Sequence, residues 1–155
     1  MAVNPIPPAH AAVTPYLIVN DATRALEFYK QAFGAVETMR FDAPGGKIAH
    51  AEIRIGAGGV MLADEMESHR GPLSLGGTPV SMMFYVANVD TVFARAIAAG
   101  AKAMRPVVDQ FYGDRSGTLV DPFGHVWTIS TQIKQMSTAE MQQAMEAMMQ
   151  KESKA

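Results

Sequence analysis

The residues best placed to do chemistry lie in Lys47–Gly56, KIAHAEIRIG. An extended chain turns successive side chains to opposite faces. Ile48, His50, Glu52 and Arg54 then share one face, and Ala49, Ala51, Ile53 and Ile55 share the other. The second set is small and apolar, suited to packing on helices. The first sets an imidazole, a carboxylate and a guanidinium in a row, so His50 and Glu52 are expected to look into a cavity. An imidazole exchanges its proton near neutrality, which suits ligand contact or proton transfer. The plainer alternative is local pairing, Glu52 with Arg54 or another base and His50 with a neighbour. If the protein catalyses anything, His50 and Glu52 are the candidate catalytic residues.

A second group lies in Tyr112–Gln132, YGDRSGTLVDPFGHVWTISTQ. Asp114 and Arg115 either pair and fix the turn at Gly113, or Arg115 receives an anionic group through its forked guanidinium. Tyr112 either stacks on a planar ligand or fills a cavity rim. His125, beside Gly124 near a hairpin tip, reads as structural or solvated. His10 and His69 fall in loops and carry no signal. Trp127 is expected in the core under a helix.

Composition removes several alternatives. Of 155 residues, 48% are hydrophobic and 18% charged, enough for a core and too apolar for a disordered chain. With a net charge of −2 and no basic run, neither nucleic acid nor a membrane surface is an expected partner. The absence of cysteine excludes disulfides, thiol nucleophiles and thiolate metal sites. No apolar stretch reaches the roughly 18 residues of a spanning helix. MAVNPIPPAH lacks a charged region followed by an apolar run, so no signal peptide is expected and the protein reads as cytoplasmic. Gly56-Ala57-Gly58-Gly59 lies in a hairpin turn and not before a helix, so it is no phosphate or dinucleotide loop. A serine nucleophile elbow is also lacking.

The elements that must position these residues can be read from periodicity. Met1–Ala12 is an irregular lead-in. Thr14–Val19 reads as a strand, and Asp21 caps a helix in which Ala22, Ala25, Leu26, Tyr29, Ala32 and Phe33 follow helical spacing up to Gly34. Ala35–Asp42, Ile48–Ile55 and Val60–Asp64 read as strands, giving βαβββ. A loop over Glu65–Pro79 links this to a second copy. That copy has a strand at Val80–Ala87 and a helix through Val92, Phe93, Ala96 and Ile97, capped near Asp90 and ended by Gly100. Extended pieces over Lys102–Phe111 lead to the hairpin. Asp121-Pro122-Phe123-Gly124 suits a type I turn. Gly34 and Gly100, and Gly58 and Gly124, are each 66 residues apart (100 − 34 and 124 − 58), which points to an internal repeat. Ser137 with Glu140 forms a capping box for a terminal helix whose Met141, Met145, Met148 and Met149 make a stripe. That stripe is expected to lie over an apolar groove, with a ligand lid as the alternative, and Lys151–Ala155 to fray.

Three strings, YLIVNDATRALEFYKQAFGA (Tyr16–Ala35), KIAHAEIRIG and YGDRSGTLVDPFGHVWTI (Tyr112–Ile129), resemble the glyoxalase, bleomycin-resistance and extradiol-dioxygenase superfamily. The resemblance covers roughly residues 13–132. It implies an α+β fold of two tandem βαβββ modules (residues 13–64 and 80–132) forming a curled mixed sheet around a cavity, with a C-terminal helix (137–150) in one structural domain. It also implies a homodimer. Superfamily registration places Tyr16, Leu62, Asp64, Met83 and Tyr85 inward. Together with His50, Glu52, Tyr112 and Arg115, all of these except Leu62 form the expected ligand-binding set.

Superfamily enzymes commonly hold a divalent metal with His, Gln or Glu, two ligands from each module. Those positions correspond here to Thr14, Leu62, Ser81 and Thr128. Leucine has no donor, and lone hydroxyls are poor ligands, so no metal and no cofactor are expected. The sequence therefore favours a metal-free protein that binds a small apolar or aromatic molecule, as superfamily members do in drug sequestration. The alternative is an enzyme using a displaced metal at His50, Glu52 and Asp64, or acid-base catalysis by His50.

Overall fold

A computed structural model of the chain describes residues 3, 5–10 and 12–153. Met1, Ala2, Asn4 and Ala11 of the expected lead-in, and Lys154 and Ala155 of the expected frayed end, lie outside the described residues. Within the lead-in, Pro8–His10 forms a 3-10 turn.

The first half runs β1 (Tyr16–Val19), α1 (Ala22–Phe33), β2 (Val36–Ala43), β3 (Lys47–Ile55) and β4 (Gly58–Asp64). Its strands lie in the order β1-β4-β3-β2, with β1 parallel to β4 and the other pairs antiparallel. A short helix α2 (Pro72–Leu75) follows, inside the stretch expected to be loop. Pro72 sits at its start, where no amide hydrogen is needed, and left-handed Gly76 stops it. The second half runs β5 (Ser81–Tyr85), α3 (Val89–Ala98), β6 (Lys102–Asp109), β7 (Asp114–Val120) and β8 (Val126–Gln132), in the equivalent order β5-β8-β7-β6. The chain closes with α4 (Thr138–Glu152). The architecture is α+β, two βαβββ modules and a C-terminal helix.

The repeat extends to the capping hydrogen bonds. The Asp21 carboxylate accepts from Arg24 N–H, and Asn88 Oδ1 accepts from Thr91 N–H. The cap of α3 is Asn88, with Asp90 close by in the first turn of the helix. Asp64 Oδ1 accepts from Ala22 N–H, and Thr131 Oγ1 accepts from Val89 N–H. Each device recurs at an offset of 67 (88 − 21 and 131 − 64), as does the strand register, in which Tyr16 opposite Met61 becomes Met83 opposite Thr128. The glycine spacing of 66 is a near miss. Gly124 has φ 89° in its turn, whereas the first hairpin bends at Gly56 (φ 58°) and Gly58 already belongs to β4.

One face of each sheet packs on its helix. Leu17, Val19, Ala51, Ile53 and Leu62 meet α1 through Ala22, Ala25, Leu26 and Tyr29, all buried. The modules are joined on this side too. The Phe33 ring lies 5.0 Å from Phe84 and 4.9 Å from Trp127, contacts that contribute about 0.5–1.5 kcal/mol each beyond burial of their area. Arg95 Nε donates to Ala32 O at 2.9 Å. The opposite faces stay open. Tyr16, Met83 and Tyr85 on those faces are 48%, 49% and 59% exposed.

Strand β3 departs from strict alternation. Phe41 stands opposite His50, but Asp42 stands opposite Ile48, so Ala49 is the extra residue of a bulge. Ile48 is thereby turned into the core, fully buried, away from the His50 face where alternation placed it. The capping box of α4 forms as expected, yet no residue of α4 is buried, and Met148 and Met149 are exposed.

Candidate functional site

On the open face of the first module, register brings Tyr16, Met61 and Glu52 side by side across β1, β4 and β3. The Tyr16 hydroxyl lies 2.8 Å from His50 Nδ1, His50 Nε2 lies 3.3 Å from Glu52 Oε1, and Glu52 Oε2 lies 3.4 Å from His10 Nε2. A carboxylate can only accept, so the His50 proton sits on Nε2 when the ring is neutral. Nδ1 then accepts from the Tyr16 hydroxyl. The phenol oxygen keeps lone pairs free to accept a further hydrogen bond. Burial pushes the Tyr16 hydroxyl above its ordinary pKa, keeping it protonated.

This string runs between two hollows. Tyr16 lines one, of about 590 Å³, with Ile18, Ala49, Ala63, Met66 and His69. Glu52 and His10 line the other, of about 550 Å³, with Thr38, Met39, Arg54 and Met61. Both fall in the range of small-molecule sites. His10, which carried no signal in the sequence, reaches the string because the 3-10 turn lays it over β3. Glu52 pairs with the two imidazoles and not with Arg54.

The second module carries a different polar floor. The Tyr85 hydroxyl donates to Asp114 Oδ2 at 2.7 Å, and Ser130 Oγ donates to the same oxygen at 2.9 Å. That hydrogen bond, and then burial, raises the Tyr85 pKa. Tyr112 Oη lies 3.4 Å from Ser116 Oγ, and Met83 is half-exposed nearby on β5. The expected Asp114–Arg115 pair does not form, because adjacent strand residues point to opposite faces. Arg115 turns to the helix side and forks onto Asp90 at 2.9 and 2.8 Å, with a third bond to Asp109. These carboxylates hold its guanidinium above the usual range. The structure thus groups Tyr16, His50 and Glu52 in one place and Tyr85 and Tyr112 in another, with Arg115 behind the sheet.

Asp64 lines the hollow of about 590 Å³, lies 3.6 Å from Lys47 Nζ through Oδ1, and holds two backbone amides. Its oxygens accept from Ala22 N–H (3.0 Å) and Ile48 N–H (2.7 Å), and it is 4% exposed. Leu62, expected inward, is fully buried on the helix side because it pairs with Leu17, and Met61 faces the hollow instead. His125 is buried and bonds Ile18 O through Nε2 at 3.0 Å, a structural link between the modules. Among the described residues, no three His, Asp or Glu side chains are grouped to hold one metal ion. The superfamily ligand positions do not fit one either. Thr14 Oγ1 donates to Ala12 O, Leu62 is hydrocarbon, Thr128 Oγ1 is 3.0 Å from Thr118 Oγ1, and Ser81 offers only a hydroxyl.

Two tandem βαβββ modules with open sheet faces define a fold class, and sequence comparison names the family within it. Residues 8–129 match the family model described as the Glyoxalase/Bleomycin resistance protein/Dioxygenase superfamily, and the protein belongs to that superfamily. It is 43% identical over 150 residues to the uncharacterized protein Rv0887c of Mycobacterium tuberculosis, covering 94% of this chain and 86% of that one. Among solved structures it is similar to TioX from Micromonospora sp. ML1, with 29% identity, a TM-score of 0.63, and coverage of 82% of this chain and 100% of that one. The fosfomycin resistance protein FosX from Listeria monocytogenes superposes with a TM-score of 0.61 at 17% identity, covering 84% of this chain and 97% of that one, a likeness of fold alone. No helix among the described residues is long and apolar enough to cross a membrane.

Proposed function

We propose that the protein binds a small apolar or aromatic molecule on the open face of its first module, without a divalent metal. The carrying observation is the Tyr16–His50–Glu52 string set between two hollows of about 590 and 550 Å³. A few oriented polar groups among apolar walls suit a ligand fixed in orientation by one or two hydrogen bonds. Superfamily membership supports this reading, as do the hydroxyls of Thr14, Ser81 and Thr128 and the Met61 thioether that faces the hollow in place of Leu62. Thermal-shift and calorimetric screening of planar compounds in chelator-treated buffer tests it. Saturable binding without metal is expected, and binding that needs added divalent ion would overturn it.

A second reading, an acid-base enzyme, is favoured by one feature. His50 is oriented by a carboxylate and receives a hydrogen bond from a half-exposed phenol, an arrangement able to pass a proton to or from a bound ligand. Turnover abolished by His50→Gln with binding retained would select this reading over simple sequestration.

The same proposal includes a homodimer. Tyr16, Met39, Phe41, Met83 and Tyr85 expose large apolar groups on or beside the open faces, and such patches mark association surfaces. Sedimentation velocity should give a dimer mass, and a monomer throughout the micromolar range would remove this part of the reading.

A further inference from the structure

We propose that the hollow beneath the N-terminal turn is a recognition site for the single negative charge of a small organic acid, with Arg54 as the recognition residue. This rests on the small-molecule reading above and specifies its ligand class. Arg54 lines this hollow and, among the described residues, has no carboxylate partner. Glu52, two residues before it on the same face, gives one oxygen to His50 and the other to His10. Other cations differ. Arg115 is held by Asp90 and Asp109, and Lys30 by Glu27 and Glu37. Arg24 and Arg70 border smaller hollows of about 200 and 190 Å³.

His10 turns Nε2–H to Glu52, so its Nδ1 is a buried acceptor without a partner among the described residues, and it takes no hydrogen bond from a carboxylate. A ligand carboxylate forked on Arg54 leaves its polar end within the hollow that His10 roofs, while Met39 and Met61 supply contact for an apolar body. Glu52 on the same face disfavours a doubly charged head group, which is why the class is a monocarboxylate rather than a phosphate ester.

The test uses the full chain with 1-naphthylacetate and its uncharged isostere 1-naphthylacetamide, read by calorimetry and by amide NMR shifts. The acid is expected to bind at least about tenfold tighter than the amide, the size of one charge-assisted contact, with shifts at Thr38, Glu52, Arg54 and Met61. Arg54→Gln, at an exposed position, should erase the preference. Lys102→Gln, an exposed cation of the second module, should keep it. Equal binding of acid and amide on this face would overturn the assignment while leaving the small-molecule reading standing. So would a preference that survives Arg54→Gln. Binding of neither compound, when other planar compounds bind, overturns the assignment alone; silence across all of them overturns both.

Discussion

Tyr29 of α1 donates its hydroxyl hydrogen bond to Asp121 Oδ2 in the β7–β8 turn at 2.7 Å, joining the two modules through a buried contact. Asp121 is fully used. Oδ2 also accepts from Trp127 Nε1 at 2.9 Å, and Oδ1 accepts from Phe123 N–H and His125 N–H, each at 2.9 Å. The residue that shapes the turn is thus also the acceptor for two core aromatics.

Tyr29→Phe leaves one lone pair of a buried carboxylate unmatched and is expected to cost about 1–3 kcal/mol in urea denaturation. Asp121→Ala strands four donors and should cost more. Burial first, then the Asp121 charge and hydrogen bond, push the Tyr29 hydroxyl well above its ordinary 10.0. A raised folded-state pKa gives stability that is intact below the unfolded value and lost as pH rises through the folded one. Wild type should therefore lose stability in alkali above pH 10, and Tyr29→Phe should flatten that loss. An unchanged alkaline slope in the variant would show that another group controls it.

Gly117 in β7 allows α3 to approach the sheet. A Cβ there would stand 2.8 Å from Phe93 Cε2 and 2.8 Å from Val107 Cγ2. Both are branches of packed side chains, so Gly117→Ala must shift the helix or the β6 strand. A loss of about 1–3 kcal/mol is expected, as for other overpacked cores. Thermal melts that match wild type would mean that the helix yields freely.

Much of this architecture was legible from the sequence because it depends on local signals. The Asp21 and Ser137 caps, Gly34 and the alternation of Glu52, Ile53, Arg54 and Ile55 act within a few residues. What escaped depends on register or on distant chain. The bulge at Ala49 reversed Ile48, and the nearby Pro44-Gly45-Gly46 signals the turn before β3 but not the register shift inside it. The Asp90–Arg115 pair joins residues 25 positions apart, which no local pattern names. His10 was unreadable because its value comes from a fold-back of the lead-in onto β3, which no periodicity encodes.

Arg115 and His50 separate a structural from a ligand-facing role. Arg115 lies behind the second sheet in a three-bond cluster with two aspartates, so Arg115→Gln should leave ligand affinity within about twofold of wild type. Its effect should fall on the salt dependence of melting, since exposed ion pairs are screened. His50→Ala removes the acceptor for Tyr16 and one partner of Glu52, and should weaken the same ligand about tenfold or more. Calorimetry on the two variants checks the contrast, and a reversal would remove the site from the open face of the first module.

Helix α4 is held by its cap more than by its packing. Ser137 Oγ accepts from Glu140 N–H at 3.3 Å, while Ser137 N–H and hydroxyl donate to Glu140 Oε2 at 2.7 and 2.8 Å. Those two donors hold the Glu140 carboxyl below its ordinary 4.5. A lowered folded-state pKa gives helix stability that is present above the unfolded value and lost as pH falls through the folded one. With no buried residue to anchor it, the helix should open on its own. Ser137→Ala, a change that costs about 0.5–2 kcal/mol at helix N-caps, should speed hydrogen exchange along Met141–Met149 and leave the β3 and β8 amides unchanged. Acidification below the ordinary carboxyl range should do the same in wild type but add little in the variant. Matched acceleration in α4 and the strands would instead show that the methionine face is docked as part of the core.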